Sequence, residues 1–172
     1  RAFNIKQGGE ICFPGGRFDA IKDSSFLDTA LRETEEELFI KKEKIKILGP
    51  FSKIITAMGS FIKPFVGFIN PEDFDILQFD KKEVERIYLE PISFFKQNPP
   101  TKYSTQVVVE PFKIENGKKI YTFPAQELNL PQIYWDSWGH FSHEILVYPK
   151  NQCQVWGITA KLIKEMINIL TK

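Results

Sequence analysis

The stretch RETEEE at residues 32–37, preceded by FPGG at residues 13–16, decides how this chain is interpreted. If the first stretch is helical, Glu33, Glu36 and Glu37 stand at i, i+3 and i+4 and share one face. We call these three side chains the glutamate face. Like charges at such spacings cost an isolated helix about 0.2–0.5 kcal/mol per pair, so a helix that clusters them either leaves them in water or binds a cation with them.

The glycine pair upstream favours the cation. Gly15 and Gly16 have no Cβ atoms, so their backbone can approach a phosphate closely. Carboxylate oxygens are the hard ligands that Mg²⁺ and Mn²⁺ prefer, and Arg32 is expected to fix one glutamate through a bidentate pair. Taken separately, a solvated acidic face and an ordinary tight turn are the alternatives. Together the two segments predict a divalent metal that is held by the glutamate face and binds a diphosphate.

Two helices are expected from the spacing of apolar residues. The first covers residues 25–38, where Ser25 caps the helix and Asp28 completes an approximate capping box, and the second covers residues 158–170. The apolar stripe of the first helix is predicted to face the core, and it consists of Phe26, Leu27, Ala30, Leu31, Thr34 and Leu38.

Between and around these helices the pattern predicts strands, which makes the chain an α/β protein with a mixed sheet. The pair Asn116-Gly117 predicts a hairpin turn. Strands are expected at residues 10–13, 45–57, 61–69, 141–148 and 153–156, and directly before Pro91.

Length and composition indicate one globular domain over residues 1–172, in which the proline-rich segment 96–135 is a candidate insertion. The net charge of +1 gives no basic field for a nucleic-acid partner. No apolar run of about 20 residues is present, so no membrane span is expected. The chain begins with Arg1 rather than Met, and we expect that the natural N-terminus lies upstream of it.

Residues 32–40, RETEEELFI, resemble the second half of the Nudix box, whose consensus is G-x5-E-x7-R-E-U-x-E-E-x-G-U with U aliphatic. Fifteen residues separate Gly16 from Arg32, two more than in the consensus. Ser24 stands at the upstream glutamate position, with Asp23 beside it, and Phe39 replaces the glycine that ends the helix. The resemblance implies the Nudix fold, an α/β/α sandwich around a mixed β-sheet.

Within that family, the chain resembles the coenzyme A diphosphatases of peroxisomes and mitochondria. The motif FPGGRFD at 13–19, with a longer insert after it, and TALRET at 29–34 match theirs. PFVG at 64–67 and VWGITA at 155–160 follow in the same order, and RAFNIK at 1–6 is similar to their upstream basic segment. The resemblance covers nearly the whole chain except about 96–135.

The resemblance implies hydrolysis of the diphosphate of coenzyme A or acyl-CoA to phosphopantetheine and adenosine 3′,5′-bisphosphate. The glutamate face would hold Mg²⁺ or Mn²⁺ beside Arg32, and Gly15 and Gly16 would approach the diphosphate. Candidates for the coenzyme A phosphates, by charge alone, are Arg1, Lys6 and Arg17. The general base is left open among Glu36, Glu37 and Glu83, and an exposed loop glutamate is the alternative for the last of these.

Two other functions remain open at this point. The protein could be a Nudix-fold subunit of a larger assembly with catalysis lost or incidental, which the departures at Ser24 and Phe39 and the segment 96–135 motivate. It could also be a Nudix enzyme for another nucleoside diphosphate. A homodimer is equally compatible with the sequence. The resemblance implies an intracellular protein of mitochondrion or peroxisome, and the last residues carry no Ser-Lys-Leu signal, which favours the mitochondrion.

Overall fold

The computed structural model describes residues 8–75 and 78–171. These residues contain both helices and strands, which confirms the predicted α/β class. The expectations for Arg1 and Lys6 lie outside the described residues. The α-helices are α1 (Phe26–Leu38), α2 (Ile92–Gln97) and α3 (Gly157–Leu170). The strands are β1 (Ile45–Pro50), β2 (Ile54–Ile55), β3 (Phe61–Ile62), β4 (Phe65–Ile69), β5 (Thr101–Val109), β6 (Phe112–Glu115), β7 (Lys118–Tyr121) and β8 (Trp138–Val147).

Within the described residues the strands pair in twos, β1 with β4, β2 with β3, β5 with β8 and β6 with β7. The β1–β4, β2–β3 and β6–β7 ladders are antiparallel. A sandwich around one mixed sheet therefore stays a prediction. No helix in this part of the chain has the length and apolar character needed to cross a bilayer.

The chain divides into two compact units. The first consists of Arg1–Thr101 and Val147–Lys172, and the second is Lys102–Leu146. In the first, the core lies where α2 packs against α3: the buried rings of Phe95 and Tyr148 meet edge to face at 4.9 Å between centroids. The prediction of a single domain with an insertion at 96–135 stays a prediction.

The second unit contains the hairpin predicted from Asn116-Gly117. Strands β6 and β7 pair on either side of this dipeptide, and both of its residues have positive φ, 49° and 74°. Positive φ at both central positions is the conformation of the type I′ turn, which matches the twist of the flanking strands. The local turn chemistry was therefore sufficient to identify this element.

The start of α1 follows the sequence closely. The Ser25 side chain accepts a hydrogen bond from the Asp28 amide at 3.1 Å, while the Asp28 carboxylate accepts one from the Ser24 amide at 3.2 Å. The predicted capping box therefore forms with one difference: the Asp28 carboxylate bonds the amide of Ser24 rather than the amide of the N-cap residue Ser25. The prediction that Phe26 faces the core is wrong, because its side chain is 42% exposed.

Three of the predicted strands are wrong. Residues 153–156 form no strand, and Trp156 makes an isolated bridge to Val147. Residues 10–13 and the residues before Pro91 are irregular, and in each a side chain takes a carbonyl that a neighbouring strand would otherwise bond. The Thr159 hydroxyl donates to the Ile11 carbonyl at 2.9 Å, and the Gln152 amide donates to the Leu89 carbonyl at 2.7 Å. Thr159 therefore links α3 to the segment before the glycine loop.

The end of α1 is formed by Phe39 in the left-handed conformation, with φ 55° and ψ 25°, and its amide donates to the Glu35 carbonyl. Glycine is the usual residue at this position because a Cβ atom is strained there. We expect Phe39→Gly to be more stable than Phe39→Ala by about 1 kcal/mol, since both lose the ring and only glycine relieves the strain. Urea denaturation of the two variants measures the difference, and equal midpoints would contradict a strained helix end.

Candidate functional site

The Asp23 carboxylate is the most enclosed charge of the site, with its side chain 1% exposed. It accepts two hydrogen bonds from Arg32, Nε to Oδ1 at 2.8 Å and Nη2 to Oδ2 at 3.1 Å. It also accepts bonds from the Thr29 hydroxyl at 2.8 Å and from the Asp19 amide at 2.9 Å. A buried carboxylate is stable only when it is paired in this way.

These contacts shift the acid–base behaviour of both partners. The hydrogen bonds from Arg32 hold the pKa of Asp23 far below its usual value, against the opposing effect of burial. The bond to Asp23 likewise raises the pKa of Arg32 above its usual value. The pair is therefore charged at neutral pH, and its hydrogen bonds fix the position of the Arg32 side chain.

The same guanidinium reaches the glutamate face. Arg32 Nη1 donates to Glu33 Oε1 at 2.7 Å and to Glu36 Oε2 at 3.0 Å. The expectation that Arg32 forms its bidentate pair with a glutamate is wrong, because Nε and Nη2 of Arg32 both donate to the Asp23 carboxylate. The physical reason is burial: Asp23 lies in a tight turn shielded from water, whereas the Glu36 side chain is 52% exposed and competes with solvent.

Gly16 lies directly against the Glu33 carboxylate. A Cβ atom built on Gly16 would overlap the carboxyl carbon and both oxygens of Glu33, so only glycine leaves the carboxylate where it is. At Gly15, a Cβ atom would have open space, but the φ of 155° is one that other residues rarely adopt. The structure thus joins the two segments that sequence analysis linked, the glycine loop and the glutamate face.

Glu37 and Glu83 lie at the end of α1 and in the loop beside it. Glu37 is buried at the end of α1, and its carbonyl accepts a bond from the Asp80 amide at 2.9 Å. Glu83 is exposed, and its amide bonds the Asp80 carbonyl at 3.1 Å, so its loop adjoins the end of the helix. Its role as a general base stays a prediction.

Of the three basic residues predicted to bind the phosphates, Arg17 lies within the described residues. Its carbonyl accepts a bond from Arg32 Nη2 at 3.4 Å, and its side chain is exposed at the glycine loop. Ser24 does not replace the missing upstream carboxylate, because its hydroxyl is bonded to Asp28. Asp23, its neighbour, turns inward to Arg32.

The donor chemistry of the glutamate face fits a hard divalent cation, since Glu33, Glu36 and Glu37 offer only carboxylate oxygens. Their arrangement does not yet enclose one: within residues 8–75 and 78–171 no three acidic, histidine or cysteine side chains are grouped as a metal site. Arg32 is the counter-charge that gathers Glu33 and Glu36. The metal ligands remain a prediction.

Asp23 and Thr29 are positioning residues that the sequence pattern does not reveal. The available signal was spacing: Thr29 and Arg32 are three apart on one face of a helix, and Asp23 lies in a short turn just before its cap. An aspartate so close to an arginine-bearing helix face is a candidate partner, but its sequence distance of nine residues does not reveal that it is buried.

The family model and two relatives that match this chain are described as a Nudix domain or as Nudix hydrolases. A family model described as NUDIX domain matches residues 1–106. Nudix hydrolase 3 of Caenorhabditis elegans is 26% identical over 165 residues, 94% of this chain and 60% of the relative. Nudix hydrolase NudL of Yersinia enterocolitica is 26% identical over 164 residues, 94% of this chain and 66% of the relative.

A third relative is named mitochondrial coenzyme A diphosphatase NUDT8, from Mus musculus. It is 24% identical over 162 residues, which cover 94% of this chain and 63% of the relative. The chain therefore spans about 60 to 66% of the length of the curated relatives it matches.

The contact between Gly16 and Glu33 predicts a change of sign in a double-mutant cycle. Gly16→Ala should lower the free energy of unfolding by about 1 kcal/mol, because the new methyl group displaces the Glu33 carboxylate. In a Glu33→Ala background the same substitution should be neutral or stabilising by about 0.5 kcal/mol, since only the unfolded chain is then affected. Chemical denaturation of the four proteins measures the coupling, and additive effects would rule out the contact.

The lowered pKa of Asp23 predicts that the free energy of unfolding decreases at acid pH. In the unfolded chain the group titrates near its ordinary value of 3.8, whereas in the folded protein it titrates lower. Its contribution is therefore complete above about pH 4 and is lost as pH falls further. We expect Asp23→Asn to be less stable than the parent at pH 7 and to show a shallower fall between pH 4 and the acid transition. An unchanged slope would show that Arg32 does not stabilise the Asp23 anion.

Proposed function

Because the chain belongs to the Nudix hydrolase family, we propose that it hydrolyses the diphosphate of coenzyme A or acyl-CoA with Mg²⁺ or Mn²⁺. The observation that carries the proposal is the contact of Gly16 with the Glu33 carboxylate, which Arg32 also holds. It brings backbone that can approach a phosphate beside a carboxylate that can bind the metal of that phosphate. Nudix hydrolases generally use a divalent metal.

In the proposed reaction, the oxygen of a water molecule forms a bond to one phosphorus of the diphosphate. The bond from that phosphorus to the bridging oxygen breaks, and the bridging oxygen leaves with the other phosphate. The products are phosphopantetheine, or its acylated form, and adenosine 3′,5′-bisphosphate. Glu33, Glu36 and Glu37 would hold the metal, which supplies positive charge to the phosphate oxygens.

The water must lose a proton to a carboxylate of this region. Glu36 is suited to meet solvent water, since its side chain is 52% exposed while one of its oxygens is fixed by Arg32. Glu37 is the buried candidate, and Glu83 is the candidate from the adjoining loop. We propose that the general base is one of these three, and that Arg32 acts by positioning Glu33 and Glu36.

Coenzyme A is proposed as the substrate on the motifs FPGGRFD, TALRET and VWGITA and on the name of the mouse relative. Arg17 is exposed at the glycine loop, where a phosphate of that substrate would pass, and Arg1 and Lys6 are the further candidates for its phosphates. A mitochondrial location is proposed on the same name alone.

The glutamate face predicts a sharp difference between neighbouring substitutions. With purified full-length protein, Mg²⁺ or Mn²⁺ and coenzyme A, we expect release of adenosine 3′,5′-bisphosphate, measured by chromatography. Glu36→Gln should lower kcat by about 100-fold or more, because it removes a ligand or base. Glu35→Gln is the matched control: it is also an exposed carboxylate of α1, it points elsewhere, and it should retain activity.

Other outcomes assign the protein differently. Faster cleavage of ADP-ribose than of coenzyme A would move the substrate to another nucleoside diphosphate. A folded protein without turnover of either, which elutes from native extract in a large complex, would support the subunit of an assembly. Equal losses in Glu35→Gln and Glu36→Gln would show that general charge, rather than the glutamate face, supports turnover.

A further inference from the structure

Three phenylalanine rings form a continuous exposed group beside the glycine loop. The ring centroids of Phe18 and Phe26 are 5.2 Å apart at an angle of 45°, and those of Phe26 and Phe61 are 6.0 Å apart at 61°. They come from the glycine loop, the first turn of α1 and β3. We call this group the phenylalanine cluster.

All three rings of the cluster are partly exposed to solvent. The exposed fractions are 43% for Phe18, 42% for Phe26 and 48% for Phe61. Aromatic side chains stabilise a fold mainly by burying large apolar areas, and a contiguous exposed apolar patch commonly marks a binding site. Tilted rings also present both faces and edges to a planar ligand.

Two lysines border the cluster. Lys53 Nζ lies 6.0 Å from the Phe61 centroid, and Lys63 Nζ lies 5.7 Å from the centroids of Phe26 and Phe65. These distances are near the limit of about 6 Å for a cation–π contact, so both ammonium groups are loosely held. Lys53 and Lys63 give the border of the cluster positive charge, which is complementary to an anion.

The cluster is aligned with the glutamate face along α1. Phe26 and Glu33 are seven residues apart, so they lie on the same side of the helix at about 10 Å, given a rise of 1.5 Å per residue. The glycine loop spans the same interval: Gly16 lies against Glu33, and Phe18 lies against Phe26. The ribose and 5′-phosphate of a nucleotide can bridge such an interval.

We propose that the phenylalanine cluster is the subsite for the purine base of a nucleotide-containing diphosphate, with Lys53 and Lys63 at the border of that subsite. The inference rests on the proposed hydrolysis, because it places the diphosphate at the glutamate face. Stacking of a base on aromatic side chains tolerates partial exposure and does not require hydrogen bonds to the base.

The first test does not depend on catalysis. AMP and ribose 5-phosphate, which differ only in the base, are titrated into the metal-free full-length protein and followed by calorimetry. Phe61→Ala should weaken AMP binding by about five-fold or more and leave ribose 5-phosphate unchanged. Phe68→Ala is the control, because Phe68 is 50% exposed on β4 and lies outside the cluster. Equal AMP affinity in Phe61→Ala and the parent, or no AMP binding by the parent, would overturn the subsite.

The second test uses turnover of coenzyme A. Phe61→Ala should raise KM by a similar factor and change kcat less than about two-fold, because the cluster binds the base far from the reacting phosphorus. A rise of KM for acyl-CoA but not for coenzyme A would overturn the proposal in favour of an acyl chain. If AMP binding depends on Phe61 but no coenzyme A is cleaved, the base subsite stands and the proposed hydrolysis fails.

Discussion

The pair between Arg32 and Asp23 is the interaction on which the candidate site depends. Asp23 is buried and its charge is compensated by Arg32, Thr29 and a backbone amide, so the turn before α1 and the helix are locked to one another. The remaining nitrogen of the guanidinium is left to hold Glu33 and Glu36. Removal of either partner would free a charged side chain at the centre of the site.

The pair also gives a structural role to the two extra residues between Gly16 and Arg32. The chain closes a turn in which the amides of Lys22 and Asp23 bond the Asp19 carbonyl at 3.0 and 2.7 Å. This turn delivers Asp23 to Arg32 and closes on itself through the Asp19 amide. Asp23 is consequently committed to structure, which leaves α1 as the source of the proposed metal ligands.

Some of this could be predicted from the sequence because it depends on local chemistry. The cap of α1 at Ser25, the Asn116-Gly117 hairpin and the shared face of the glutamates each follow from spacing and residue type. The strands predicted at residues 10–13 and before Pro91 failed because Thr159 and Gln152, distant in sequence, take their carbonyls. Such long-range side-chain bonds leave no periodic signal.

The exposure of Phe26 shows a second feature that the sequence pattern could not predict. Its position on the helix is correctly given by a 100° period, but the period does not say which side of an apolar stripe the rest of the protein covers. Here the buried residues of α1 are Thr29 and Glu37, both polar. The contacts of Thr29 with Asp23 and of the Glu37 backbone with Asp80 show why that face is turned inward.

The end of α1 shows how tertiary contacts override a local preference. Phe39 adopts a left-handed conformation that a bulky residue avoids, and such strain persists only where neighbouring contacts determine the backbone. Those contacts are present on both sides: Ile40 is buried in the core, and the Glu37 carbonyl is bonded by Asp80. The last glutamate of the face is therefore positioned by packing rather than by a glycine stop. Changes in the core around Ile40 should consequently reach the site through Glu37, although they touch none of its charged groups.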